Sequence, residues 1–494
     1  MPGKFACVQR GAGIHGLSKR PPLPYERVVA KAKIVILGGG FAGYYTARAL
    51  ESRMSAKDRD DLEITLVSRD NFLTFTPMLP SVPASTLAPR HVVTPLRARL
   101  SLTRFIRADV VAVDPSKKLV HLEGTSVATG MTPAQLPYDE LIVGLGSATN
   151  FFGIPGAEEN ALGMKSVPDA MRLRNRVLDV LEAADAEESA RRRRSLLTVV
   201  IVGVGFSGCE TAGELIEFLR SALALYPRIS KEDLRVVLVG LDAELMPEIG
   251  AKLGGYAHRV LAKDGVEIRT KTAVTRVEAD HVTVRTPTGE EERIDTRCVV
   301  WTAGVAPVPP LRTLASEGSK GRVLVDRALK STAFDGVWAL GDAAAIPSTE
   351  GQGFCPPTAQ HAMRQAETMA TNLLASRKGK TLTPYTFKPL GLMASLGHHK
   401  AVALAMGIPI SGFIAWWLWR TYYLLRMPGL ERKLRVALDW TIDLFLPRDT
   451  VVLRYEAPRG ALMAPLSRPP FTPLPPPSAL APPREQEASR TTVD

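Results

Sequence analysis

Two short glycine runs constrain this 494-residue chain more than any other feature. Gly38-Gly39-Gly40-Phe41-Ala42-Gly43 follows Lys33–Leu37 (KIVIL) and leads into a helical pattern at Tyr44–Leu50. Gly203-Val204-Gly205-Phe206-Ser207-Gly208 follows Thr198–Val202 (TVVIV) and leads into another, running through about Leu225. Each preceding run is short, apolar and β-branched, the texture of a parallel strand buried on both faces. Second strands follow at Glu63–Val67 and Leu234–Val239, so a β-α-β unit occurs twice.

The G-x-G-x-x-G spacing has a mechanical logic. The first glycine makes the tight turn, the second lets backbone approach a pyrophosphate, and the third lets helix and strand pack closely. The positive end of the helix then faces the phosphates. Gly38, Gly40 and Gly43 fill these places in the first unit, and Gly203, Gly205 and Gly208 in the second. A single match is a weak signal. Two, each between a buried strand and a helix, imply two dinucleotides in one protein, which points to FAD and a pyridine nucleotide. The predicted fold class is α/β, with two Rossmann-like domains for FAD and NAD(P)H.

Such a site normally ends its second strand with an acid for a ribose hydroxyl. Here Ser68 stands at that place in the first unit and Gly240 in the second. NADH is the expected donor. With no acid to repel a 2′-phosphate, NADPH stays open, although no arginine directly follows Gly240. Asp242 is close enough to stand in, and a register two residues off is the competing alignment. A third feature supports the flavin: Val337–Ala343 (VWALGDA) is a strand running into Gly341 and Asp342, where the glycine permits close approach and the carboxylate can accept a sugar hydroxyl. Leu141–Gly146 (LIVGLG) reads as the strand and turn linking the two domains, with Gly146 beside the cofactor.

The resulting organisation begins with a basic arm (1–30) and an FAD-binding domain built from two separate segments (31–155 and 321–400). The NAD(P)H-binding domain (156–320) is inserted between those segments. C-terminal membrane-associating helices (401–456) and a Pro-rich disordered tail (457–494) follow. The arm has no acid before Glu26 and no apolar signal core, and the last 37 residues hold ten prolines. Strands are also expected at Phe105–Val113, Leu119–Leu122, Val274–Val277, Val282–Thr286, Arg293–Trp301 and Leu324–Val325. Arg191–Arg194 reads as a solvated loop entering a strand.

Ala401–Trp419 is uncharged over 19 residues, but Gly407, Pro409, Ser411 and Gly412 interrupt it. Strand and loop followed by a helix from about Phe413 fits better than a membrane span. Trp416, Trp417, Trp419, Tyr422 and Tyr423 come next with Arg420 and Arg426. Helix Leu430–Leu446 then aligns Leu430, Leu434, Leu438, Ile442 and Phe445 on one stripe. Aromatics, arginines and an amphipathic stripe suit the plane of a lipid interface. The formal charge of +12, from 62 Lys+Arg against 50 Asp+Glu, supports an anionic lipid partner through Arg420, Arg426, Arg432, Lys433 and Arg435. No nucleic acid partner is expected. Cys7, Cys209, Cys298 and Cys355 form neither C-x-x-C nor a disulfide framework, which favours a reducing compartment.

Taken together, Gly38–Gly43, Asn71–Pro80, Tyr138–Gly156, Thr198–Leu215, Trp301–Val305, Ala339–Ala343, Pro356–Gln360 and Ser411–Asp449 resemble the type II NADH dehydrogenases, with the motifs in family order over about residues 33–450. The resemblance implies a single-chain, non-proton-pumping flavoenzyme that takes hydride from NADH onto FAD and passes electrons to a membrane quinone. It implies a peripheral membrane protein on the cytoplasmic face of the inner or plasma membrane, and a homodimer. Glu210 matches a family glutamate where nicotinamide, flavin and quinone meet, and Thr76 and Pro77 match a segment beside the flavin. Many members read A-Q-x-A-x-Q before the quinone. This chain keeps Gln360 but places Arg364 one helical turn later, where it can donate to a quinone carbonyl, offset negative charge on the flavin ring, or simply fill the mouth of the quinone tunnel. His361 is read as structural. No metal site is expected, and the side chains of His398 and His399 should diverge. The rival enzymes on this fold are a sulfide:quinone oxidoreductase and a dithiol flavoenzyme, which need cysteines at the flavin. A rival of another class is a non-catalytic nucleotide sensor.

Overall fold

Lys33–Leu37 lies at the centre of a five-stranded parallel sheet ordered Val337–Ala339, Glu140–Val143, Ala32–Leu37, Leu62–Ser68, Arg104–Arg107. The computed structural model describes residues 31–124, 127, 130, 132–348, 353–389 and 391–452. The arm 1–30, the tail 457–494 and Cys7 lie outside the described residues. A second five-stranded parallel sheet is ordered Ala161–Gly163, Cys298–Trp301, Thr198–Val202, Arg235–Val239, Val266–Arg269. Its central strand is buried throughout, with Val199 and Ile201 in one hydrophobic cluster and Val200 and Val202 in another. Side chains of a strand alternate faces, so covering both faces demands an unbroken apolar run.

Between the sheets the chain crosses twice, and the crossings pair: Ser147–Thr149 runs antiparallel to Val305–Pro307. Two expected strands are in fact broken. Phe105–Val113 divides into Arg104–Arg107, at the edge of the first sheet, and Asp109–Asp114, in a three-stranded antiparallel sheet. Arg293–Trp301 divides likewise. The Thr296 hydroxyl donates to the Thr198 carbonyl at 2.6 Å and accepts from the Cys298 amide at 3.1 Å, turning the chain from one sheet into the other. Arg191–Arg194 is not a loop but lies in the exposed helix Ala190–Leu196. Ser189 caps it, Glu187 pairs with Arg192 at 2.9 Å, and Arg193 and Arg194 sit at the end that favours cations.

The C-terminal module is a three-stranded antiparallel sheet (Gly391–Ser395, Ala401–Ala405, Ile408–Ser411) followed by helices Phe413–Arg426 and Leu430–Ile442. The second helix stops short of Leu446. Trp419, Met427, Val436 and Trp440 share the cluster that holds the first sheet's core, so the module is packed into the body. Asp439 fastens it by accepting from the Ala88 amide at 3.1 Å and pairing with His91 at 2.5 Å. Among the described residues, no helix is long and apolar enough to cross a membrane.

Candidate functional site

The two glycine loops have nearly the same geometry. Gly38 and Gly203 take positive φ, +101° and +114°, and each donates its amide to the last core residue of the neighbouring strand, Val67 or Val239, at 2.8 Å. A Cβ on Gly43 would lie 1.9 Å from the Gly38 carbonyl oxygen, and one on Gly208 1.8 Å from that of Gly203. Those positions must be glycine for helix and turn to close. Gly40 and Gly205 differ in kind: their φ is ordinary (−75° and −74°), and a Cβ on either would meet nothing within 4 Å. Each opens onto free space at the first turn of a helix that has no side-chain cap and no acid. Unshared amides and the positive helix end facing an open cradle fit a pyrophosphate at both loops.

The acid-lacking position of the second unit has a steric cause. Ser68 follows Val67 as Gly240 follows Val239, so the alignment on Gly240 holds without a two-residue shift. A Cβ on Gly240 would lie 2.9 Å from a Val204 methyl, so no larger residue fits without displacement. Leu241 and Asp242 are exposed beyond it.

At the end of the returning strand, Gly341 has φ +66° and donates its amide to Gln365 Oε1 at 2.8 Å. The Asp342 carboxylate accepts from the Ser147 hydroxyl at 2.6 Å and lies 3.5 Å from Lys165 Nζ. Gly146 (φ +70°) turns just before Ser147, with open space at its Cβ position. Sequence reasoning missed Gln365, Ser147 and Lys165, because each meets its partner only through the fold.

Gln360 and Glu210 meet the same strand of the C-terminal module. Gln360 Nε2 donates to the Gly391 carbonyl at 3.1 Å, and Glu210 Oε1 accepts from the Ser395 amide at 3.2 Å, at the strand's two ends. Close approach is possible because Gly213 faces Leu396, where a Cβ would stand 2.5 Å from its carbonyl carbon. Burial pushes Glu210 up to about 8, against the Ser395 hydrogen bond, which favours the anion. The Trp419 indole lies nearby, but its N–H finds no hydrogen-bond partner among the described residues. Further along this helix, buried Glu214 accepts from Ser81 at 3.2 Å and Thr86 at 3.0 Å, and burial pushes Glu217 up to about 7. Around Glu214, Ser395 and Trp419 is a cavity with room for about one water molecule.

Thr76 is exposed at the start of a short 3₁₀ turn with Pro77 beside it. The preceding Phe75 is buried between Phe41 (5.8 Å) and Tyr423 of the C-terminal module (6.1 Å). Arg364 is exposed, its guanidinium 5.8 Å from the Phe387 ring. His361 is buried against Phe387, with Tyr385 Oη at 3.0 Å from its Nδ1. His398 and His399 do not diverge. They sit in a turn where His399 takes φ +61°, and their rings are 3.8 Å apart. Among the described residues, no cluster of three His, Cys, Asp or Glu could hold a metal ion.

The stripe Leu430, Leu434, Leu438, Ile442 and Phe445 faces outward, Leu434 being 62% exposed, and Phe413, Ile414, Trp417 and Leu425 extend it. Two of the lipid-facing assignments are corrected. Arg420 is sandwiched between Trp416 (4.1 Å) and Trp440 (4.6 Å), and burial lowers it to about 10. Arg432 turns inward to the Arg90 carbonyl at 2.9 Å. Of the aromatics, Trp416 and Trp419 are core and Trp417 is exposed.

Residues 32–366 match the pyridine nucleotide-disulphide oxidoreductase family, and 390–449 match the NDH2 C-terminal domain. The type II NADH:quinone oxidoreductase Ndh of Mycobacterium tuberculosis is 32% identical over 86% of this chain and 90% of its own length. The chain belongs to the type II NADH:quinone oxidoreductase family. Demethylphylloquinone reductase NdbB of Synechocystis is 32% identical over 83% of this chain and 96% of its own. The structure of NDH2 from Plasmodium falciparum in complex with NADH shares the fold, with a TM-score of 0.78 at 18% identity, covering 85% of this chain and 100% of that one. A sulfide:quinone oxidoreductase from Aquifex aeolicus is a more distant fold neighbour, with a TM-score of 0.62 at 19% identity, covering 88% of this chain and 100% of its own. Cys209, Cys298 and Cys355 are free and buried, and burial raises all three thiols, Cys298 to about 11, away from the thiolate that sulfur chemistry requires.

Proposed function

We infer that this chain oxidises NADH and reduces a membrane quinone, with Glu210 at the junction of the two half-reactions. One observation supports the reading above others: the helix launched by the second glycine loop places Glu210 within its first turns, buried against the Ser395 end of the module that carries the apolar face. Bound FAD supplies the two-electron exchange between nicotinamide and quinone. Gly38, Gly40 and Gly43 would hold its pyrophosphate, Gly341 and Asp342 its ribityl chain, and Ser68 its adenosine ribose, with Gly146, Thr76 and Gln360 toward the ring. Gly203, Gly205 and Gly208 would hold the NADH pyrophosphate. A carboxyl titrating near 8 can hold or release a proton at neutral pH, which suits quinone reduction. Arg364, exposed one turn beyond Gln360, would meet a quinone carbonyl.

The exposed apolar stripe is proposed to lie in an anionic lipid surface, with Arg426, Lys433 and Arg435 toward the headgroups. The side is the cytoplasmic face of the inner or plasma membrane, where NADH is found and thiols stay reduced. Two copies are proposed to form a homodimer, which light scattering tests. The central experiment measures NADH turnover with a water-soluble quinone and with a long-chain quinone in anionic vesicles. Leu434→Glu together with Leu438→Glu should cut vesicle binding and long-chain turnover by at least ~10-fold, since each buried leucine contributes ~1.5–3 kcal/mol, while soluble-quinone turnover stays near wild type. Unchanged vesicle binding would overturn the lipid assignment. Absence of turnover with any quinone would overturn the activity.

A further inference from the structure

Lys165 belongs by backbone to the nicotinamide side and by side chain to the flavin side. It lies two residues beyond strand Ala161–Gly163 of the second sheet and immediately before Ser166, whose capping box with Asp169 starts helix Val167–Ala186. Its amide faces Asp169 Oδ2 at 3.4 Å, which sets the direction in which its side chain leaves. Nζ hydrogen-bonds the Ser147 hydroxyl and stands 3.5 Å from Asp342 Oδ2. The Ser147 hydroxyl in turn donates to that same Oδ2 at 2.6 Å.

An ammonium can only donate, so Ser147 Oγ accepts from Lys165 and passes its own hydrogen to Asp342. The chain of donors therefore has one direction, and its members polarise each other. Both tethers end on Oδ2. Oδ1 makes no hydrogen bond to any described residue, and Asp342 is only half-buried. On the other side of the turn, Gln365 holds the Gly341 amide. Carboxylate and backbone are thus fixed separately, and one oxygen is left for a ligand.

We propose that Lys165, acting through Ser147, is a positioning residue that locks the Asp342 carboxylate with Oδ1 presented to a flavin ribityl hydroxyl. The proposal rests on the reading of Asp342 as the ribityl-binding carboxylate. It also makes flavin binding depend on how the nicotinamide domain is seated, since the tether crosses between the domains.

The test compares Lys165→Met, Lys165→Arg, Asp342→Asn and the Met/Asn double variant. Apoprotein is titrated with FAD by fluorescence, and the flavin midpoint potential is read by spectroelectrochemistry. Losing a charge-assisted tether should weaken FAD binding ~10-fold or more in Lys165→Met, and Lys165→Arg should recover to within ~3-fold of wild type. Because Lys165 acts through Asp342, the double variant should bind FAD within ~2-fold of Asp342→Asn alone. The apoprotein melting curves serve as a folding control and should superimpose. If Asp342→Asn loses FAD and Lys165→Met does not, the positioning role is wrong and the ribityl reading stands. If the two losses multiply in the double variant, Lys165 meets FAD directly and the proposal is overturned. If neither variant loses FAD, the reading of Asp342 fails and the proposal with it.

Discussion

The first and second β-α-β units solve the same problem with one pair of residues exchanged. In the first, the middle of the loop is glycine (Gly39) and the end of the neighbouring strand is Ser68; a Cβ on Gly39 would stand 2.7 Å from the Ser68 hydroxyl. In the second, the loop carries Val204 and the residue just past the strand is Gly240, again with a contact of 2.9 Å if a Cβ is added. Space at this point admits one side chain, and the units chose opposite partners. The missing acid at Gly240 is then a consequence of packing around Val204. A second contrast lies two residues past the last loop glycine, where the first unit has Tyr45 and the second Glu210. At matching places the first helix carries a phenol and the second a buried carboxyl whose acidity burial has weakened.

The largest expected effect separates the units outright. Gly40→Val fills open space at the first loop, so it should fold yet purify without flavin colour, with FAD affinity down at least ~100-fold. Gly205→Val should stay yellow, yet its flavin band should no longer bleach on anaerobic NADH addition. Normal FAD content in Gly40→Val would break the assignment of the loops. Next come the glycines that close the turn. Gly43→Ala and Gly208→Ala drive a methyl into a carbonyl oxygen, and each should cost ~2–3 kcal/mol by chemical denaturation, whereas Gly40→Ala and Gly205→Ala should leave apoprotein stability nearly unchanged.

Glu210 sharpens the comparison through pH. Its folded value is about 8 against 4.5 unperturbed. Below about 4.5 the carboxyl is protonated folded or unfolded, and contributes no slope. From there to about 8 the unfolded chain gives up a proton that the folded chain keeps, so stability falls as pH rises, by several kcal/mol at most. Glu210→Gln should reduce the slope across that window, leaving the share that Glu217 contributes up to about 7; an unaltered slope would count against a buried, protonated Glu210. The smallest effect tests the exchanged pair. Gly240→Ser should cost ~1–3 kcal/mol, and adding Val204→Gly should restore most of it while changing the KM for NADH by less than ~10-fold. No recovery in the double variant would refute the steric account.

The sheets, loops and C-terminal elements were legible because each rests on local periodicity or on glycines whose reason lies within a few residues. The sequence does not show where a strand changes sheets, since Thr296 ends one only by reaching Thr198. Nor could it place Arg420: a count of arginines beside aromatics suggests a lipid interface, but two tryptophans from different helices enclose this one. Lys165 was invisible for the same reason, as it meets its partners Ser147 and Asp342 only through the fold.

The strand Gly391–Ser395 carries a practical warning. Removing the C-terminal helices together with their sheet is the obvious route to a freely soluble oxidoreductase. That truncation would also strip the Ser395 amide and the Trp419 ring from Glu210 and let water reach it. Its carboxyl would drop back toward ordinary acidity, and Gln360 would lose the Gly391 carbonyl in the same cut. A shortened enzyme that fails with quinone would therefore say as much about a rehydrated carboxyl as about a missing membrane.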